Sequence, residues 1–344
     1  MSPKKGSLAL PFFIGANSLL VTYLNVHWLF VITMILLSPP AVAEDLQSKQ
    51  TYANDKRYTM AGSLLKYRQT YPDITLGKVV EEHSLNIMLD QVYGRASGRD
   101  LHIDIYRPLN KANHQAILLI HGGGWSSGNK SHMQSLAQAL ALKGYLTATL
   151  EYRLSPEALY PAAIIDIYQA IAWLKAKAQS LNFDSNKLSI LGGSSGGHLA
   201  ALVGFSAIHN VYLPESNKLQ VKAVIDMDGI LEVASGEGLI AEDKNGMSDS
   251  ALARWLGGNF ANMTARWQEA SVPQYINADS PPLLFISSGQ RRFKAGFALA
   301  QVKLHSFGIK VELINLDNTA HPFWLFEPWL SQIIAPIDQF LQKN

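Results

Sequence analysis

Three short blocks in this 344-residue chain combine residue types that do covalent chemistry. The first is Leu188-Ser189-Ile190-Leu191-Gly192-Gly193-Ser194-Ser195-Gly196-Gly197-His198-Leu199-Ala200, an apolar run, a glycine-rich turn and a helical pattern. A serine on such a turn becomes an exposed nucleophile. Small residues are needed at Gly192 and Gly196, because larger side chains on so strained a turn would strike the adjoining strand and helix. The helix that follows adds oriented N–H groups near a reacting carbonyl. Two overlapping G-x-S-x-G readings centre on Ser194 or on Ser195. Ser194 is preferred, since it follows the strand by the shorter connection.

The second block is His121-Gly122-Gly123-Gly124-Trp125, directly after the apolar Leu118-Leu119-Ile120. Acyl transfer places a full negative charge on oxygen, and backbone free of side chains is what can bring N–H donors onto it. Gly123 and Gly124, with the N–H of Ser195, are the expected oxyanion hole. His121 itself is expected to steady the loop through a side-chain hydrogen bond. The third block is Leu316-Asp317-Asn318-Thr319-Ala320-His321-Pro322-Phe323-Trp324. His321 is the last histidine of the chain and lies just past the last expected strand, where a general base following a serine and an acid in chain order belongs. His198 falls in the helix behind the elbow and is expected to pack there.

The elements that must hold these blocks follow from apolar runs alternating with longer amphipathic segments. Eight strands are expected: 87–93, 101–106, 116–120, 146–151, 188–191, 221–226, 283–287 and 311–315. Helices are expected over 132–143, 162–181, 197–208, 295–307 and at the C terminus to near 342. The pattern is that of one α/β domain, an eight-stranded, mostly parallel sheet covered by helices on both faces. Residues 230–278, rich in Gly, Ser and Trp, interrupt it as an insertion of the kind that builds a substrate pocket or lid.

Composition narrows the function. The chain is 48% hydrophobic and 16% charged, with a formal net charge of +2. Residues 1–43 hold only Lys4 and Lys5, so the remainder carries 27 basic against 27 acidic residues. Nucleic acid as a partner is therefore not expected, because phosphate binding needs clustered Lys and Arg. Lys4 and Lys5, the apolar stretch 8–37 and Ala41-Val42-Ala43 form a secretion signal, with cleavage expected before Glu44 and a periplasmic destination. The alternative is an uncleaved membrane anchor, the stretch being long enough to span a bilayer. The sequence has no cysteine, which removes lipoprotein attachment, disulfides and thiolate metal sites. Neither metal-ligand spacing nor a dinucleotide-binding loop is evident, so neither a metal nor another cofactor is expected.

These blocks resemble the hormone-sensitive-lipase-like branch of the α/β hydrolases, and within it bacterial carbohydrate esterases such as pectin or xylan acetylesterases. The resemblance runs through His121 to Trp125, Glu151-Tyr152-Arg153-Leu154-Ser155-Pro156-Glu157, Pro161-Ala162-Ala163 with Asp166, and the elbow, whose Gly196-Gly197-His198 then falls in the family's register after Ser194. It continues, less specifically, through Asp226-Met227-Asp228-Gly229, Arg254-Trp255-Leu256-Gly257-Gly258 and His321 to Phe326. What it implies is a cofactor-free serine esterase that removes short acyl groups, acetate first, from a small-molecule or oligosaccharide ester. A general short-chain carboxylesterase or lipase is the alternative activity, and a non-catalytic binding protein on the same fold the alternative class.

One departure bears on the triad. The family carries an Asp after the seventh strand, but here that stretch reads Ser287-Ser288-Gly289-Gln290-Arg291-Arg292-Phe293-Lys294-Ala295-Gly296-Phe297-Ala298, with no carboxylate. Asp228, at the end of the sixth strand, is the first substitute, because an acid there reaches the histidine from the neighbouring strand end. Asp317 is the second; Asp226, Glu327 or no acid at all are the remaining alternatives. Trp255, Trp267, Trp324 and Trp329 are either sugar-stacking surfaces or core.

Overall fold

The computed structural model describes residues 58–79, 84–155, 157–243 and 249–344. The leader read over residues 1–43 lies outside them, as does Pro156. Among the described residues, no helix is long and apolar enough to cross a membrane.

The first described helix, α1 (Met60–Tyr67), is capped by Thr59, whose hydroxyl accepts the Gly62 N–H at 3.0 Å. The main sheet then contains all eight expected strands: β1 (Leu85–Ala96), β2 (Arg99–Pro108), β3 (Ala116–Ile120), β4 (Leu146–Leu150), β5 (Leu188–Gly193), β6 (Val224–Met227), β7 (Leu283–Ser287) and β8 (Val311–Asn315). Their spatial order is β1-β2-β4-β3-β5-β6-β7-β8. β2 runs antiparallel to both its neighbours, and every pair from β4 to β8 is parallel. β6 begins at Val224 rather than at Val221 as expected.

Burial explains why the central strands read as unbroken apolar runs. In β3, Ala116, Leu118 and Ile120 face one core while Ile117 and Leu119 face another, all at most 1% exposed. With both faces covered, β3 is apolar at every position; β4 is equally buried but carries Thr147 and Thr149, the former donating to Ala137 O at 2.9 Å. The first core is closed by α3 (Ala162–Ala176) and α5 (Ser195–Ser206), the second by α2 (Gln134–Ala141) and α10 (Trp329–Lys343). The expected single helix over 162–181 is broken at Lys177, where α4 (Ala178–Leu181) begins. In the insertion after β6 lie α6 (Gly236–Asp243), α7 (Ala251–Leu256) and α8 (Phe260–Glu269); α9 (Phe297–Ser306) covers the crossover from β7 to β8.

A two-stranded ribbon was not expected. Thr75 pairs with Glu327 and Leu76 with Phe326, antiparallel, and Gly77 N donates to Leu325 O at 2.8 Å. The segment after α1 is thereby joined to the chain just beyond His321.

Candidate active site

The C-terminal ends of β3, β5, β6 and β8 converge on one place, where open parallel sheets bind their ligands. Ser194 leaves β5 with φ 56° and ψ −126°, in left-handed space that a serine enters only when its surroundings hold it there. Its N–H donates to Met227 O at 2.8 Å, and its carbonyl accepts His198 N–H at 3.0 Å. The glycine requirement is steric: a Cβ on Gly192 would lie 2.0 Å from Gly196 O, and one on Gly196 2.3 Å from Ile120 O.

His321 Nε2 stands 2.8 Å from Ser194 Oγ, and its Nδ1 stands 2.9 Å from Asp228 Oδ2. Asp228 is fully buried, and its second oxygen accepts the Ser288 N–H at 2.8 Å. The loop after β7, which lacks the family's acid, thus supplies a donor to an acid from β6. Asp228 also has positive φ, 55°, so its turn is bent to aim the carboxylate back at the histidine. With Nδ1–H donating to Asp228, the lone pair of Nε2 faces the serine hydroxyl. Burial, helped by the cations Arg292 and Lys66, holds His321 below the ordinary histidine value, with Asp228 acting in the opposite direction.

The other carboxylates stand elsewhere. Asp317 is exposed on the loop before His321. Glu327 accepts Ser331 N–H at 3.2 Å in the ribbon. Asp226 is fully buried two residues before Asp228, with Oδ1 accepting Gly229 N–H at 2.7 Å. Burial, reinforced by Asp228 and opposed by the Gly229 N–H, drives its carboxyl well above the usual range.

The His121–Trp125 loop packs directly on the elbow: a Cβ on Gly122 would lie 2.6 Å from Gly193 O and 3.0 Å from Ser194 Cβ. Gly123 (φ 130°) ties its carbonyl to Ser127 Oγ at 2.7 Å, and Gly124 has φ 60°. His121 Nδ1 donates to Gly122 O at 2.9 Å, while Tyr152 stacks on the ring and donates from its hydroxyl to His121 O at 2.9 Å. Burial pushes His121 down to about 3, so it stays neutral and acts as a brace. His198 is likewise neutral, pushed down to about 4 by burial, with Nε2 donating to Ala270 O at 2.8 Å and Nδ1 accepting from Trp125 Nε1 at 3.3 Å.

A cleft of about 50 Å³ opens over the serine, lined by Gly124, Trp125, Ser194, Ser195, Asp228, Ile230, Ala251, Arg292 and Phe293. Gly124 and Ser195, two of the three expected oxyanion donors, line it; Gly123 is one residue behind. The insertion contributes Ile230 and Ala251. A larger cavity, about 310 Å³, lies at the opposite end of the sheet beside Gln115 and Leu146 and holds none of these groups. None of the four tryptophans offered for sugar stacking is available for it: Trp255 and Trp267 are fully buried, Trp324 is 1% and Trp329 7% exposed. They are core.

Phe293, which the sequence reading left without a role, lies parallel to the His321 ring, centroids 3.6 Å apart and planes 6° apart. It lies between β7 and α9, in the loop that lacks the family's acid. The resemblance blocks upstream also meet: Arg153 pairs with the fully buried Asp166, Nη2 to Oδ1 at 2.7 Å, tying the end of β4 to α3. Among the described residues no group of three or more His, Cys, Asp or Glu is placed to hold a metal ion.

Against known proteins, the BD-FAE family model matches residues 103–292. That segment carries Ser194 and Asp228 and stops short of His321. The probable carboxylic ester hydrolase LipM of Mycobacterium tuberculosis is 31% identical over 56% of this chain and 45% of its own length. Esterase LipQ of the same organism is 28% identical over 72% of this chain and 59% of its own. The chain therefore spans about half the length of these curated relatives. Among solved structures, a truncated carbohydrate esterase from gut microbiota superposes with a TM-score of 0.64 at 21% identity, covering 77% of this chain and 99% of that one. The fold is that of the α/β hydrolases, and the chain belongs to the BD-FAE family.

Proposed function

We propose that the protein is a serine carboxylic ester hydrolase with Ser194 as nucleophile, His321 as general base and Asp228 as the acid that orients it. The observation that carries this reading is the unbroken chain Ser194 Oγ, His321 Nε2, His321 Nδ1, Asp228 Oδ2, with links of 2.8 and 2.9 Å. His321 takes the serine proton as Oγ attacks the ester carbonyl, and the N–H groups of Gly123, Gly124 and Ser195 receive the oxyanion. The imidazolium then protonates the leaving alcohol. Water, deprotonated by the same histidine, hydrolyses the acyl-enzyme. Relatives named as carboxylic ester hydrolase and esterase support the reaction class.

The substrate we propose is an acetyl ester on a cell-wall oligosaccharide such as a pectin fragment, met in the periplasm after export on the leader at residues 1–43. Pockets for drug-sized ligands run to roughly 300–1,000 Å³. A cleft of about 50 Å³ suits an acyl group of acetate size and favours short acyl chains over fatty ones. The similarity to a solved carbohydrate esterase and the resemblance of the sequence blocks support the sugar-ester reading over that of a general short-chain esterase. The test is release of acetate from acetylated pectin and xylan fragments and from 4-nitrophenyl acetate, comparing the unaltered protein with Ser194→Ala and Ser195→Ala. Loss with Ser194→Ala alone supports the assignment. No release by the unaltered protein from any of the three would leave the fold with a binding role instead.

A further inference from the structure

The imidazole of His321 is confined on more sides than its two hydrogen bonds require. Phe293 lies flat on it at 3.6 Å, and Trp324 meets it edge-on at 5.6 Å and 84°. Phe293 is itself held in place. The neighbouring Arg292 sets its guanidinium carbon 5.3 Å from the Phe293 ring centre. Arg292 is in turn anchored on Glu242 of α6, with Nε and Nη2 each 2.7 Å from the same carboxylate oxygen. Glu242 is fully buried, so this anchor is fixed in the insertion rather than swinging in solvent.

During the proposed reaction His321 becomes a cation for the lifetime of each tetrahedral intermediate. A flat aromatic face within about 6 Å attracts a cation through its quadrupole, more strongly where water is excluded. We propose that Phe293 is a positioning residue for His321: it fixes the plane of the imidazole and stabilises the imidazolium that forms as Ser194 gives up its proton. The catalytic half of this inference rests on the esterase reading; the stacking half does not.

The charged and titratable groups around the ring come from four elements. Asp228 after β6 favours the imidazolium, Arg292 after β7 and Lys66 on α1 oppose it, and Ser194 at the elbow accepts or returns the proton. Tyr67 on α1 stands near Asp228 and remains a neutral phenol, raised first by burial. Against two opposing cations, the Phe293 face adds to the effect of Asp228 without adding a second carboxylate. The loop after β7 thus still serves the histidine, by a ring in place of an acid.

The experiment compares Phe293→Leu, which keeps bulk and removes the quadrupole, with Phe293→Tyr, which keeps both. One readout is kcat and KM for 4-nitrophenyl acetate; the other is a 15N NMR titration of the His321 ring, assigned by its loss in His321→Gln. The expected result for Phe293→Leu is a kcat about 2- to 30-fold lower with KM little changed, and an imidazole that binds its proton about 2- to 30-fold more weakly. Phe293→Tyr should restore both. If Phe293→Leu leaves the proton affinity within experimental error, the proposal is overturned whatever happens to kcat. A rise in KM with kcat unchanged would likewise overturn it, by making Phe293 a substrate contact. Should Phe293→Leu fail to fold, Phe293→Met takes its place. Absence of esterase activity in the unaltered protein would defeat the esterase reading, and the titration would still decide the stacking.

Discussion

Replacing Asp228 by asparagine changes the shape of the site hardly at all and should nevertheless stop it working. In the unaltered protein one carboxylate oxygen accepts the Ser288 N–H at 2.8 Å and the other accepts from His321 Nδ1 at 2.9 Å. Asparagine has one oxygen to offer. The Ser288 N–H can only donate, so the amide oxygen stays on it and the amide nitrogen turns to His321. His321 Nδ1 must then accept, which moves the ring proton to Nε2, 2.8 Å from Ser194 Oγ. A protonated Nε2 cannot take the serine proton. The same exchange in a serine protease lowers kcat about 10⁴-fold through the same tautomer change, which corresponds to about 5.4 kcal/mol of transition-state stabilisation. Initial rates with 4-nitrophenyl acetate, alongside circular dichroism to establish that the sheet is intact, measure it directly. Asp317→Asn, on an exposed carboxylate, should stay within threefold of the unaltered protein. An Asp228→Asn variant that kept a tenth of the activity, or an Asp317→Asn variant that lost as much as Asp228→Asn, would refute the argument from tautomers.

Three other outcomes follow from the geometry. Catalysis needs neutral His321, and burial lowers its proton affinity, so the acidic limb of kcat/KM should have its midpoint below the ordinary histidine value of about 6.5; a pH–rate profile shows it. Gly192→Ala puts a methyl 2.0 Å from the backbone oxygen of Gly196, and thermal melts should show destabilisation of at least about 1–3 kcal/mol, together with loss of activity. The folded state keeps the Asp226 proton to higher pH than the unfolded chain, where an aspartate titrates at about 3.9. The fold binds more protons than the unfolded chain above that pH and loses stability as pH rises. The stability of Asp226→Asn relative to the unaltered protein should therefore shift in favour of the variant between pH 3.5 and 7.5, as measured by urea unfolding.

The central strands stood in the sequence because β3 to β7 are covered on both faces and are therefore mostly apolar, with Thr147, Thr149, Ser189, Asp226 and Ser287 as buried exceptions. Their ends were less legible: Val221-Lys222-Ala223 alternate as a strand would but lie before the first β6 pairing residue, Val224. The elbow and the histidine loop could be read locally, since their chemistry fixes residue types within a few positions. Asp228 could be offered only as one of several acids. Choosing among them takes a distance between residues 93 apart in the chain. The stacking of Phe293 on His321 carried no local signal, because a phenylalanine in a loop reads the same whether it meets core, solvent or imidazole. For the tryptophans the sequence left two roles open, sugar-stacking surface or core, and their burial decides for core.

The ribbon between Thr75–Leu76 and Phe326–Glu327 has a mechanical consequence. Two pairs of residues and the Gly77 N–H hold the chain four to six residues beyond His321, while the serine is held by the centre of the sheet. The same stretch is also core: Phe323 and Phe326 are fully buried and Trp324 is 1% exposed, so the base, like the nucleophile, is carried on buried chain, and the ribbon fastens the segment after α1 to it. On warming, the ribbon should release the 75–77 segment while His321 stays seated on the second core, so activity and circular dichroism should be lost together.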